Sequence, residues 1–303
     1  MVDARHFSLD FLPGGAASWS VTDSCGSLLV VMDIKGRPFP GHIVCEPLTQ
    51  RYVRIPQPMD SNNISYWWGP YLLDGEANEV GGRISMSNFR VLCIFDCNRI
   101  THTAIFTAGS SWIHTNIDRI APILEGRRAW ALGRAAGCCY FYDERRSMTL
   151  VHLDGSTGEF SSSVLPATED WSSHLWRYNC SITEGCDSKP RIIVVFDDTM
   201  KVFSRPDSTE WALEKEIQLT ETTCCSLPWY RHDQEISHSH NIVTVGVGFV
   251  ILSQFQDFGE VQLFFVNLET MEASQAPPAA KNMGWRVYQC KLPWPPALHS
   301  CLY

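Results

Sequence analysis

The 303-residue chain is 45% hydrophobic and 19% charged, close to globular averages, which excludes extended disorder and allows a sizeable core. Its formal charge of −9, with no Lys/Arg run longer than Arg127-Arg128 or Arg145-Arg146, leaves no footprint for a phosphate backbone and argues against nucleic acid as a partner. The start of the chain lacks the apolar segment of a secretory signal, and the longest apolar stretch, Ile242 to Leu252, is about half the roughly 20 residues that cross a bilayer. The expectation is a cytoplasmic or nuclear protein with no membrane partner.

From residue 27 onward, short runs rich in Val, Ile, Phe and Tyr follow one another, punctuated by Gly, Pro, Asp and Asn. Their length predicts strands over residues 27–32, 42–45, 89–96, 103–106, 138–143, 148–153, 191–197, 199–204, 242–253 and 261–267. A helical pattern shows only from Asn116 to Leu124, where Pro122 limits it to about one turn. The expected fold class is therefore all-β.

The strands also pair in a repeating way. Cys138 to Asp143, a turn at Glu144 to Ser147, and Met148 to Asp154 read as antiparallel neighbours, and Arg191 to Phe196, Thr199 to Ser204 and then Trp211 to Leu213 repeat the arrangement. Val247 to Leu252, Val261 to Val266 and then Glu272 to Ser274 do so again. A turn phrase recurs with them. Glu46-Pro47-Leu48-Thr49-Gln50-Arg51, Asp154-Gly155-Ser156-Thr157-Gly158-Glu159 and Asn267-Leu268-Glu269-Thr270-Met271-Glu272 are strong copies, with weaker ones at Ala108 to Trp112 and Arg205 to Trp211. Their spacing, roughly 50 to 60 residues, is the scale of one propeller blade.

Units over approximately 19–60, 71–117, 127–171, 177–229 and 239–277 account for most of the chain. A sixth would have to be assembled from the two termini. The reading is thus a β-propeller of about five to six four-stranded blades forming a single domain over residues 1–303, its ring incomplete if the sixth is absent. An inner strand packed by neighbouring blades on both sides should be continuously apolar, as Val247 to Leu252 is. Gly26, Gly133 with Gly137, and Gly246 with Gly248 are expected just before inner strands.

Three segments carry a likeness to a known group: His6-Phe7-Ser8-Leu9-Asp10-Phe11-Leu12-Pro13, Trp19-Ser20-Val21-Thr22-Asp23-Ser24-Cys25-Gly26-Ser27-Leu28-Leu29, and Val44-Cys45-Glu46-Pro47-Leu48-Thr49-Gln50-Arg51-Tyr52. The last is close to a "CEPLTRRY" phrase. Together with Val287 to Pro296, they make the chain resemble the F-box-associated, kelch-like β-propeller region of plant F-box proteins, those of grasses especially. The resemblance touches nearly the whole chain, and its first and last segments are the specific ones. It implies a non-enzymatic protein-interaction module of the substrate-receptor kind in a ubiquitin ligase, with an unidentified protein target. It also brings a departure, because the family's F-box opens on an L-P-x-x-[LI] helical segment that binds a Skp-type adaptor. Here Leu12-Pro13 runs into Gly14-Gly15 with no helical pattern. The expectation is a chain that starts inside the propeller region, without that adaptor as a direct partner.

Polar clusters were weighed on this scaffold. His238 and His240 alternate onto one side of a strand and with His232 or Asp233 could hold Zn²⁺, but no HExxH accompanies them, and the reading adopted is a solvated loop leading to Ile242. Cys93-x3-Cys97 and Cys180-x5-Cys186 lack CxxC spacing; Cys93, Cys138, Cys139, Cys224 and Cys225 lie in or beside apolar runs and are expected as reduced thiols in or near the core. Gly155 to Gly158 and Gly246 to Gly248 precede no helix, so they read as turns rather than phosphate cradles. Neither a GxSxG elbow nor a carboxylate pair stands out, so no catalytic, cofactor-binding or metal residue is assigned. The alternative kept open is a propeller enzyme or carbohydrate-binding protein using its central channel. The residues singled out for partner binding are aromatic: Tyr66, Trp67, Trp68, Trp171, Trp176, Trp229 and Tyr230, all in stretches that read as loops, where amphipathic rings anchor protein partners.

Overall fold

The computed structural model describes residues 8–34, 41–56, 64–73, 84–97, 100–110, 112–115, 129–143, 149–155, 159–166, 179–196, 198–205, 210–219, 240–255 and 261–275. The chain is all-β, a β-propeller whose blades are four-stranded antiparallel meanders, the third and fourth joined into one eight-stranded sheet by a single parallel pair, Ile182 with Gly133. Blade 1 holds β1 (Trp19–Cys25), β2 (Leu28–Asp33), β3 (His42–Glu46) and β4 (Arg51–Ile55). Blade 2 holds β5 (Ile64–Leu73), β6 (Arg90–Cys97), β7 (Ile100–Thr107) and β8 (Trp112–Thr115). Blade 3 holds β9 (Ala129–Ala135), β10 (Cys138–Asp143), β11 (Thr149–Asp154) and β12 (Phe160–Val164). Blade 4 holds β13 (Cys180–Glu184), β14 (Pro190–Phe196), β15 (Thr199–Ser204) and β16 (Ala212–Gln218). Blade 5 holds β17 (His240–Gly246), β18 (Phe249–Phe255), β19 (Val261–Asn267) and β20 (Ala273–Gln275). The chain divides into two compact units, one with the strands of residues 19–115 and the other with those of residues 129–275. The segment with helical pattern, residues 116–124, lies outside the described residues, as do both termini.

The recurring turn phrase has one structural meaning. Every copy lies between the third and fourth strands of its blade: β3–β4, β7–β8, β11–β12, β15–β16 and β19–β20. In blade 5, Asn267 Oδ1 accepts from the backbone N–H of Glu269 and of Thr270, and Asn267 N donates to Glu272 O at 3.0 Å, closing the hairpin. In blade 1 the carboxylate of Glu46 accepts from Thr49 Oγ1 at 2.6 Å and from Ser27 Oγ at 2.7 Å, tying this turn to the Gly26-Ser27 turn between β1 and β2.

Two expectations change. The run 242–253 is not one strand but parts of β17 and β18, broken by the turn at Val247-Gly248. Its continuously apolar part belongs to the second strand, because that strand has a partner along each edge and neighbouring layers on both faces. β2 and β14 are likewise largely buried, whereas β1 is only half-buried throughout. For the same reason Gly26, Gly137 and Gly248 sit in the turns between first and second strands rather than ahead of inner strands. The fourth strands are the exposed edges, and β16, reading ALEKEIQ, blunts its edge with charge.

Apolar packing runs between blades. On β14 and β15, Ile192 and Phe203 join Tyr140, Tyr142 and Leu150 of blade 3, while the alternating Ile193, Val195 and Val202 join Val250, Leu252 and Val266 of blade 5. Blade 1 follows the same rule: Val30 and Val44 meet Val91 and Phe106 of blade 2, and Val31, Ile43 and Cys45 turn to Leu12 and its neighbours. Cys45, Cys93 and Cys139 are buried, and burial pushes the Cys45 thiol up to about 12 and the Cys93 thiol well above its usual value. Cys138 is half-buried, and Cys224 and Cys225 lie outside the described residues. Among the described residues no helix is long and apolar enough to cross a membrane.

Candidate functional site

The aromatic residues chosen from the sequence divide into two sets. Tyr66, Trp67 and Trp68 are not in a loop: they belong to β5, paired with β6 through Tyr66↔Asp96 and Trp67↔Phe95. Gly69 and Pro70 fall inside β5, whose pairing is irregular between Ile64 and Tyr66 and between Trp67 and Gly69, with Gly69 at φ 110. Trp171, Trp176, Trp229 and Tyr230 lie outside the described residues, as do His232, Asp233 and His238. His240 is the first residue of β17 and is buried, which corrects its placement in a solvated loop.

A different cluster gathers between blades 3 and 4, from residue types that the alternation of two strands turns the same way. His152 lies two residues beyond Leu150 on β11 and stacks on Tyr140 of β10, ring centroids 5.5 Å apart. Directly across from His152 on β12 is the exposed Ser161, its Oγ 2.6 Å from His152 Nε2. Ser163, two residues on, accepts a hydrogen bond at 3.3 Å from Nε1 of Trp211, which stands just ahead of β16. Arg205, at the end of β15, lays its guanidinium over the Trp211 ring, 5.8 Å from the centroid. Two hydroxyls, an imidazole, a phenol and a guanidinium thus gather in one cluster.

The electrostatics suit binding. Burial holds His152 below its usual pKa, Arg205 adds to that and Asp154 opposes it, so the imidazole is neutral at pH 7. Burial also pushes Tyr140 up to about 12, with Cys138 adding and Arg205 opposing. His152 Nδ1 is buried and, among the described residues, has no hydrogen-bond partner that would orient the imidazole toward Ser161. Other charged groups near the blade contacts act structurally. Arg191 bridges Asp187 and Glu214, Glu184 Oε2 accepts from Ala136 N, Asp23 Oδ2 accepts from Leu72 N at 2.7 Å, and Lys215 donates to the carbonyls of Leu268 and Glu269. Among the described residues no three His, Cys, Asp or Glu side chains group as metal ligands.

Sequence reading reached Arg205 and Trp211 as part of a weak turn copy but missed the site. Its other half comes from the preceding blade, and no local pattern announces a contact between blades.

No family model and no curated protein matches the chain. Among solved structures it is similar to a luciferin-regenerating enzyme at 12% identity and a TM-score of 0.45, over 86% of this chain and 78% of that one. It is also similar to a fucoside-bound Aleuria aurantia lectin variant at 9% identity and a TM-score of 0.44, over 88% and 78%. A polysaccharide lyase, an ulvan lyase, follows at 11% identity and a TM-score of 0.37, over 85% and 82%.

Proposed function

We propose that the chain is a non-enzymatic protein-interaction module, a substrate-receptor-like propeller of the F-box-associated kind, and that the side-chain cluster between blades 3 and 4 is a recognition surface on it. The observation that supports this is the juxtaposition of Arg205, Trp211, Ser161 and His152 from two blades, with Ser161 exposed and Arg205 and His152 half-buried. A guanidinium beside hydroxyls and a neutral imidazole matches a carboxylate with a neighbouring hydrogen-bonding group, as an acidic peptide segment presents. The carbohydrate alternative needs an open ring for the apolar face of a sugar. Trp211 is 5% exposed and lies under Arg205, which favours the peptide.

The test is binding of the full chain to arrays of acidic peptides and of oligosaccharides, each repeated with Arg205→Ala. Peptide binding weakened about tenfold by the substitution, or about 1.4 kcal/mol, is the expected result. Saccharide binding alone, lost in Arg205→Ala, would establish the alternative. A direct pull-down of a Skp-type adaptor separately tests the ligase connection, which rests on the family resemblance.

A further inference from the structure

At one end of the contact between blades 4 and 5, apolar packing gives way to a polar row. Gln254 on β18 lies opposite His240 on β17 and opposite Gln262 on β19, so the three share one face of blade 5. That face is the one turned to blade 4, since Val250 and Leu252 on the same side of β18 pack with Val195, Met200 and Leu219. Blade 4 meets the row with Asp198, held in the β14–β15 turn by Leu219 N donating to its carbonyl at 2.6 Å. His240 Nδ1 and Asp198 Oδ1 stand 3.5 Å apart, and the His240 side chain has no exposure.

This row is unbalanced as it stands. Gln254 is 1% exposed, yet its Oε1 and Nε2 both lack hydrogen-bond partners; Asp198 Oδ1 and Gln262 Oε1 are also buried without one. Orphaned acceptors are costly singly, and three along one row call for a bound group, an ion or an ordered water, to satisfy them.

We propose that His240, Asp198, Gln254 and Gln262 form a divalent-cation site that pins blade 5 to blade 4. An ion about 2.0–2.2 Å from an imidazole nitrogen and a carboxylate oxygen, at a tetrahedral angle, sets those atoms about 3.4 Å apart. The observed 3.5 Å fits that arrangement, whereas a direct N–H···O bond would bring them to about 2.9 Å. No third His, Cys, Asp or Glu joins the pair among the described residues, so the two amide oxygens complete the set. One imidazole, one carboxylate and two amide oxygens suit Zn²⁺ or Mn²⁺ better than Mg²⁺, which demands an octahedral oxygen shell.

The test uses the full chain stripped with chelator. Mn²⁺ is titrated with detection by electron paramagnetic resonance, which discounts thiolate sites, and thermal unfolding is followed with Mn²⁺, Zn²⁺ or Mg²⁺. About one Mn²⁺ per chain, displaced by Zn²⁺, with a higher Tm in either ion, is expected. Asp198→Asn and Gln254→Leu should each weaken Mn²⁺ binding at least about tenfold. Gln254→Leu replaces an orphaned amide with an apolar side chain of similar size, so its Tm in chelator should equal or exceed that of the unsubstituted chain and report intact folding. Absence of Mn²⁺ binding, or binding that neither substitution weakens, overturns the proposal. A Tm gain in Gln254→Leu with no metal response in the unsubstituted chain would assign the row to ordered water instead.

Discussion

His42, at the start of β3, shows what burial alone does to a titratable group: it is 4% exposed, and its pKa falls from 6.5 to about 4 through desolvation. Above pH 6.5 the imidazole is neutral in both folded and unfolded chains and stability does not depend on it. Between 6.5 and 4 the unfolded chain takes up a proton that the fold refuses, so stability falls as pH falls, by at most about 1.4 kcal/mol per pH unit and about 3 kcal/mol over the window. Denaturant unfolding across that range should show a shallower decline in His42→Phe than in the unsubstituted chain. Parallel curves would assign the slope to other groups. Gly133 shows a second single-residue constraint, at the one point where β9 and β13 run parallel. Its φ of 140 disfavours any side chain, and a Cβ there would run into the backbone carbonyl oxygen of Ile182. Gly133→Ala should therefore cost about 2–4 kcal/mol in equilibrium unfolding, while alanine at Gly109, whose Cβ meets open space, should cost only about 1 kcal/mol from its positive φ.

At the scale of elements, the turn between third and fourth strands sets the register of each blade. Asn267→Ala removes the acceptor for the N–H groups of Glu269 and Thr270, and a loss of about 1–2 kcal/mol with faster amide exchange in β20 is expected. Unchanged exchange there would mean that the backbone bond from Asn267 N to Glu272 O holds the hairpin unaided. This turn was legible in the sequence because its chemistry is local, with Glu, Asp or Asn at the first position and Thr three residues on. The second and third strands were legible for an equally local reason, since both faces are covered and the runs are apolar. First strands were mostly missed, and fourth strands were reached only as short pieces, Trp211 to Leu213 for β16 and Glu272 to Ser274 for β20. β1 is half-buried and mixed in composition, and β16 carries Glu and Lys as an exposed edge does, so neither has the pattern of a buried strand. The candidate cluster depends on pairs such as His152 with Ser161 and Arg205 with Trp211, brought to one place only when two blades pack. His240 misled for a related reason: a histidine flanked by Ser and Asn reads as solvated, and nothing in the neighbouring residues signals a buried polar row.

Across the molecule, stability lies in the layers between blades rather than inside any blade, and blade 4 shows how the layers stay separate. Val202 and Phe203 are adjacent on β15 and fully buried, but one packs in the layer toward blade 5 and the other in the layer toward blade 3. Truncation of either should cost several kcal/mol, about 1–3 for Val202→Ala and about 3–5 for Phe203→Ala, from lost burial and the cavity left behind. Their couplings should follow the layers rather than the sequence. In double-mutant cycles Phe203→Ala should couple with Tyr142→Ala, and Val202→Ala with Leu252→Ala, each by about 0.5–3 kcal/mol, because both members of each pair belong to one apolar cluster. The chain neighbours Val202 and Phe203 should be nearly additive despite their adjacency, since the sheet between them separates their contacts. Strong coupling of the neighbours with weak coupling across either layer would mean that the blade is an independent folding unit. The alternation of partners along β15 predicts the opposite: adjacent blades of one unit unfold together, because no single sheet buries both of its faces by itself.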